Sequence, residues 1–259
     1  MLSQEEYRDY CERFRLVWDY IRVSSYDEDF VIQCLCSERG YSYDRMNPIL
    51  SKIGVCFVNP EKFEFDRIRK LDRGELGICS PTGNFLLMGR YIVPVRDMLG
   101  NIIALIGWYN QEDKKYVTTP SKLFSKECLF YGMEQFNTGI GKKFIVVEGI
   151  FDSISVRSLG LRCVAMMGIT PSRYKAELFN LMGGVLAIPD NDKEGRKVLK
   201  EDIWGIPSNG KYLRWSGSGA QGIKDIDDLV KSFEAEDVRG MLLDAWKEPD
   251  RTVNIILEY

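Results

Sequence analysis

Histidine is absent from the 259-residue chain, which removes Ser–His and Cys–His nucleophilic pairs and histidine-bound metals together. Any chemistry must run on carboxylates, lysines, arginines and bound ions. The seven cysteines include no CxxC pair, so neither a disulfide framework nor a zinc ribbon is expected, and Cys34-x-Cys36 reads as buried, reduced thiols. No apolar run nears the roughly 20 residues of a membrane-spanning helix, and the opening MLSQEEYRDYCERFR is too polar and acidic for a secretory signal. A soluble, cytoplasmic protein without a membrane partner is expected. Excess positive charge is also lacking: at a net charge of −3, any contact with nucleic acid must use a local basic groove.

What is present is an ordinary folded composition, 45% hydrophobic and 28% charged, on a chain long enough for two modest domains. Tyr7, Tyr10, Phe14, Val17 and Ile21 recur at helical spacing, predicting an amphipathic helix within a helical start over 1–30. DEDFVIQCLCSERG and SYDRMNPILSKIG predict two more helical segments, and the charged run 61–75 reads as loop or short helix. Between Tyr91 and Tyr109, IVPV and IIALIGWY read as two strands joined by a turn at Gly100-Asn101. The first half is thus expected to be α+β, over 1–140.

After the Gly139-Ile140-Gly141 hinge the pattern changes to four short apolar strands, each followed by a helix: FIVVEG, CVAMMG, VLAIPD and KYLRW begin the units. That alternation predicts an α/β domain over 141–233, a mostly parallel sheet covered by helices, with 234–259 as a C-terminal extension. SGSGAQG at 216–222 reads as a flexible loop.

In such sheets functional groups gather beyond the carboxyl ends of the strands. Glu148 ends FIVVE, Asp190 and Asp192 end VLAIPDND, and Asp225, Asp227 and Asp228 follow KYLRW and its loop. Carboxylates so close raise one another's pKa unless a cation sits among them, and a hard, oxygen-seeking ion such as Mg²⁺ suits the set. Asp190 and Asp192 fall on one side of an extended segment. Glu148 and Asp152 share a helix face if the helix starts at Gly149. Asp228 reads as the helix N-cap. Trp108 and Trp215 read as core rather than as base-stacking platforms.

These motifs resemble the Toprim superfamily, in which FIVVEGIFDSISVRSLG matches the strand-Glu-Gly-helix motif and VLAIPDNDKEGRKVLKE the strand-DxD-x-x-G-helix motif. The likeness to the RNA-polymerase core of DnaG-type primases extends over roughly residues 30–233, through SERGYSYDRMNPILSKIGVCF, GRYIVPVRDMLGNIIALIGWY, KKYVTTPSKLFSKECLFYGMEQ and GIKDIDDLV. The resemblance implies a DNA primase core, a nucleotidyltransferase making short RNA primers on single-stranded DNA from ribonucleotides with Mg²⁺, or Mn²⁺ in its place. Glu148 would then ligate metal or assist proton transfer, with Asp190 and Asp192 as metal ligands. Asp225 and Asp227 would take a further metal or the incoming nucleotide, and Asp152 joins the ligand set. Arg90, Lys115 and Lys126 match basic positions that contact phosphates. Two departures stand out: Gly107-Trp108-Tyr109-Asn110 replaces a Gly-Gly-Arg ending, and no zinc ribbon is matched. A zinc-ribbon protein or replicative helicase acting in trans, in a bacterial or phage-infected cell, is therefore expected. A Toprim nuclease or topology enzyme, or a non-catalytic DNA-binding scaffold, would use the same motifs.

Overall fold

A computed structural model describes residues 2–72, 74–110, 115–168, 170–217, 220 and 222–256. Within SGSGAQG, positions 218, 219 and 221 lie outside the described residues. The chain forms two compact units, Met1–Ser125 and Lys126–Tyr259.

In the first unit, Ser3 starts α1 (Gln4–Val23) through a reciprocal cap, its hydroxyl accepting from Glu6 N–H at 3.2 Å while Glu6 accepts from Ser3 N–H at 2.6 Å. The helix buries Tyr10, Phe14, Val17 and Ile21 of the stripe its spacing predicted, and Trp18 besides, while Tyr7 is only half-buried. Helices α2 (Glu28–Arg39) and α3 (Tyr43–Ile53) follow, then strand β1 (Cys56–Phe57) and helix α4 (Phe65–Asp72), which occupies the run read as loop or short helix. Strands β2 (Tyr91–Arg96), β3 (Ile102–Trp108) and β4 (Tyr116–Thr118) complete an antiparallel sheet ordered β1-β2-β3-β4. The β2–β3 turn is closed by Asp97, whose Oδ1 accepts from Leu99 N–H at 2.8 Å and Asn101 N–H at 2.9 Å. Trp108 is buried, as its position at the end of an apolar strand predicts.

The second unit begins with the 3₁₀ segment Met133–Thr138 and a bridge between Tyr131 and Ala165. That bridge explains why the division falls at 125/126 rather than at the expected Gly139–Gly141 hinge: the residues just before the hinge already pair with this unit's sheet. The elements continue as β5 (Lys143–Val147), α5 (Ile150–Ser158), β6 (Cys163–Ala165), α6 (Arg173–Leu178), β7 (Gly184–Ile188), α7 (Lys193–Glu201), β8 (Lys211–Ser216), α8 (Ile226–Ser232), α9 (Ala235–Ala245) and β9 (Thr252–Ile256). Every β7 residue is buried, as is expected of a parallel sheet covered on both faces. The predicted four β-α units are all present in a five-stranded parallel sheet ordered β6-β5-β7-β8-β9. The segment expected to be a C-terminal extension instead supplies the edge strand, Tyr212 pairing with Thr252 and Trp215 with Ile255. Among the described residues no helix is long and apolar enough to cross a membrane.

Candidate active site

The strand order places a topological switch point between β5 and β7. From β5 the chain moves to one side to form β6, then returns to the other side to form β7. In open parallel sheets the crevice outside the carboxyl ends at such a point receives ligands. Val147 pairs with Ile188 there, so Glu148 follows one strand and Pro189-Asp190 the other. Both carboxylate residues are half-buried. Glu148 is fixed from the main chain, its carbonyl accepting Met167 N–H at 2.9 Å beyond the end of β6.

Asp190 is held by a close backbone approach. A Cβ on Gly195 would lie 1.9 Å from the carbonyl oxygen of Asp190, so the first turn of α7 can rest on this segment only with glycine at that position. Asp192 caps α7, its Oδ1 accepting Gly195 N–H at 2.8 Å. The spacing D-x-D-x-x-G therefore has two local causes, the cap and the close packing. Asn191 between the aspartates was not singled out by sequence reasoning. Its amide donates to the carbonyls of Ala220 at 3.0 Å and Ile223 at 2.9 Å, and its N–H to Lys224 O at 2.6 Å. It ties down the segment that delivers Asp225.

At the start of α8 the cap is Asp225, whose Oδ1 accepts Asp228 N–H at 2.9 Å; Asp228, expected to cap, sits in the first turn instead. Asp227 is buried, accepts the Ser155 hydroxyl and pairs with Lys231 Nζ at 3.2 Å, while Asp228 meets the same ammonium at 3.0 Å. Among the described residues, Asp225, Asp227 and Asp228 have carboxylate oxygens all within 4.8 Å of one another; Glu148, Asp190 and Asp192 are not gathered so tightly.

Asp152 is buried, and its place differs from the expected one. Gly149 is extended and α5 starts at Ile150, so Glu148 lies outside the helix and shares no face with Asp152. Asp152 accepts two backbone N–H groups, Gly149 at 2.9 Å through Oδ2 and Asp227 at 3.3 Å through Oδ1. Burial and the surrounding aspartates hold its carboxyl well above the usual range.

The remaining acids feel one another. Burial, then Glu148 and Asp225, push Asp190 up to about 7, against a lowering pull from Lys224. Burial and Asp192 raise Glu148, and burial raises Asp225. A cluster whose members resist ionisation in one another's presence is one that a bound cation would relieve, and its donors are all hard oxygens. The chemistry of the set therefore fits a divalent, oxygen-seeking ion.

Of the expected phosphate contacts, the structure brings Arg90 and Lys115 together in the first unit, Arg90 Nη1 lying 3.5 Å from Lys115 O. The stem of Arg90 crosses β3 at Gly107, where a Cβ would lie 2.8 Å from Arg90 Cδ. Lys115 is exposed. Lys126, in the second unit, is also exposed, and its carbonyl accepts from the buried ammonium of Lys175, which donates as well to Met166 O at 2.6 Å.

Residues 145–230 match the Toprim-like family. A DNA primase of Aquifex aeolicus is 30% identical over 177 residues, 64% of this chain and 35% of that protein. The DnaG primase catalytic domain bound to single-stranded DNA superposes with a TM-score of 0.71 at 18% identity, covering 93% of this chain and 80% of that one. The Aquifex aeolicus primase fragment containing zinc-binding and RNA-polymerase domains gives 0.69 at 23% identity, over 94% and 62%. The stretch similar to the Toprim-like family lies wholly within the second unit. More specifically, the chain has the fold of a DnaG-type primase catalytic core. It spans about a third of the length of the curated Aquifex aeolicus relative.

Proposed function

We propose that this chain is the catalytic core of a DNA primase, joining ribonucleotides into short RNA on a single-stranded DNA template. The observation that carries the reading is the placement of Glu148 and Asp190 on either side of the β5/β7 switch point, with Asp225 delivered beside them, in a fold shared with primase cores. Glu148, Asp190, Asp192 and Asp225 would hold magnesium, with manganese able to replace it. The bound ion supplies charge neutralisation for the transferred phosphoryl group. Asp227, already neutralised by Lys231, and Asp152, with both oxygens taken by backbone N–H groups, act by positioning. As the alternative to ligating the ion, Glu148 would accept the proton released by the attacking hydroxyl. Arg90, Lys115 and Lys126 neutralise phosphates of nucleotide, template or product. A zinc-ribbon protein or a helicase is proposed to aid template capture in trans.

The test supplies single-stranded DNA, four labelled ribonucleotides and Mg²⁺ or Mn²⁺ to the purified chain. Short labelled RNA supports the reading. Cleavage of the DNA with no nucleotide requirement and no RNA product overturns it in favour of a Toprim nuclease.

A further inference from the structure

Lys175, on α6, is a fully buried ammonium that the carboxylate chemistry leaves unused. Its Nζ donates to two main-chain carbonyls, Lys126 O and Met166 O, the second at 2.6 Å, and lies 5.4 Å from the centre of the Phe130 ring. Among the described residues it makes no ion pair. Burial pulls it down to about 8, against a raising pull from Cys128 and Glu127. A buried charge without a carboxylate is a costly way to fill space, since methionine has a similar volume and brings no charge. Packing alone therefore does not account for a lysine here.

On the primase reading, each carbonyl belongs to a segment that serves the carboxylate site. Lys126 is one of the expected phosphate contacts, and the start of α6 also holds the next residue, Ser172 N–H donating to Glu127 O at 3.1 Å. Met166 O is one end of the Met166–Met167 peptide group; the other end, Met167 N–H, donates to Glu148 O at 2.9 Å. One residue earlier, Met166 N–H meets Val147 O at 2.8 Å. A single peptide plane thus joins Lys175 to Glu148, and a charged donor on its carbonyl polarises its N–H toward a stronger bond. The peptide needs holding, because Met167 has φ 55°, in the left-handed region that a non-glycine residue keeps only when its surroundings impose it.

We propose that Lys175 is a positioning residue that clamps Lys126 and Glu148 at a fixed separation, through Lys126 O on one side and the Met166–Met167 peptide on the other. Lys126 and Glu148 have the roles the primase reading gives them, on which this clamp rests; Lys175 itself touches neither ion nor strand.

The test compares Lys175→Met, similar in volume but without a donor, with Lys175→Gln, whose amide keeps donors but stands one bond closer to the main chain and reaches one carbonyl at most. Calorimetry gives the Mg²⁺ affinity, and the anisotropy of labelled oligo-dT in EDTA, over a salt series, gives the strand contacts. Lys175→Met should bind Mg²⁺ roughly tenfold more weakly, the effect of losing a group that orients a ligand from behind. It should also lower the slope of log affinity against log salt by about 0.7, one phosphate contact. In a Lys126→Ala background it should lower that slope no further, since the contact it supports is already gone. Lys175→Gln should keep one of the two properties and lose the other. A role confined to the fold would lower the melting temperature and leave both measurements at parental values; that result, in a folded Lys175→Met, overturns the clamp. Should Lys175→Met fail to fold, parental Mg²⁺ affinity and slope in Lys175→Gln overturn it instead. Equal slope losses from Lys175→Met with and without Lys126 overturn it as well. A parent chain that binds Mg²⁺ and oligo-dT but makes no RNA counts against the primase reading alone, and one that binds neither overturns both.

Discussion

Oδ1 of Asp152 accepts the backbone N–H of Asp227 at 3.3 Å, joining α5 to the start of α8 inside the second unit. Its other oxygen holds Gly149 N–H at 2.9 Å, immediately after Glu148. One buried carboxylate thus braces two of the segments that deliver the acidic site. Asp152→Ala orphans both N–H groups and should cost about 2 kcal/mol in urea unfolding. Asp190→Asn, which relieves repulsion without opening a hydrogen bond of this kind, should leave the metal-free fold as stable or more stable while sharply weakening Mg²⁺ binding. Equal destabilisation by both changes would contradict this division between brace and ligand.

The acidic cluster should make the metal-free protein less stable as pH rises. Asp190 is raised from about 4 to about 7, so between those values the folded chain keeps a proton that the unfolded chain has lost. Stability from this group is therefore present at the acid end and is lost as pH climbs through about 7. A loss on the order of 2 kcal/mol is expected once solvent screening is allowed for. Thermal unfolding in EDTA should show the decline, Asp190→Asn should flatten it, and saturating Mg²⁺ should remove it. A melting temperature that rises between pH 5 and 8 in EDTA, at about constant ionic strength, would refute the assignment.

Gly195 offers a steric test. The Cβ of Gly195→Ala would lie 1.9 Å from Asp190 O, so α7 or the Asp190 segment must move. A loss of about 3 kcal/mol is expected, with weakened metal binding. Calorimetry showing parental metal affinity in a stably folded variant would sink the packing argument.

Lys115→Ala removes an exposed charge remote in sequence from every carboxylate of the site. It should weaken ribonucleotide or product binding and make its salt dependence shallower by roughly one contact, while leaving metal affinity unchanged. Titration with nucleotide and with Mg²⁺ separately checks both halves.

Much of this was legible in the sequence because short apolar strands ending in acids are a local pattern: FIVVE and VLAIPDND carry strand, end and carboxylate in one stretch. The β2–β3 hairpin was legible for the same reason, two apolar runs around Gly100-Asn101. Strands β1 and β4 were not, since two or three residues carry no period. Strand β9 was missed because TVNII gains its place only by pairing with β8, a long-range fact. Asn191 depends on the carbonyls of Ala220 and Ile223, and the half-exposed Trp215 on Pro189 O at the end of β7, long-range partners that composition cannot supply. The cap at Asp225 rather than Asp228 turned on a shift of three positions in where α8 begins, a boundary that propensity leaves loose.

The most direct test of the central claim compares the parent chain with Glu148→Gln and Asp190→Asn in one reaction, with single-stranded DNA, ribonucleotides and Mg²⁺. The account predicts short RNA from the parent, and at least a hundredfold less from each variant, on the order of 3 kcal/mol of lost transition-state stabilisation. RNA synthesis persisting at the parental rate in both variants would contradict it.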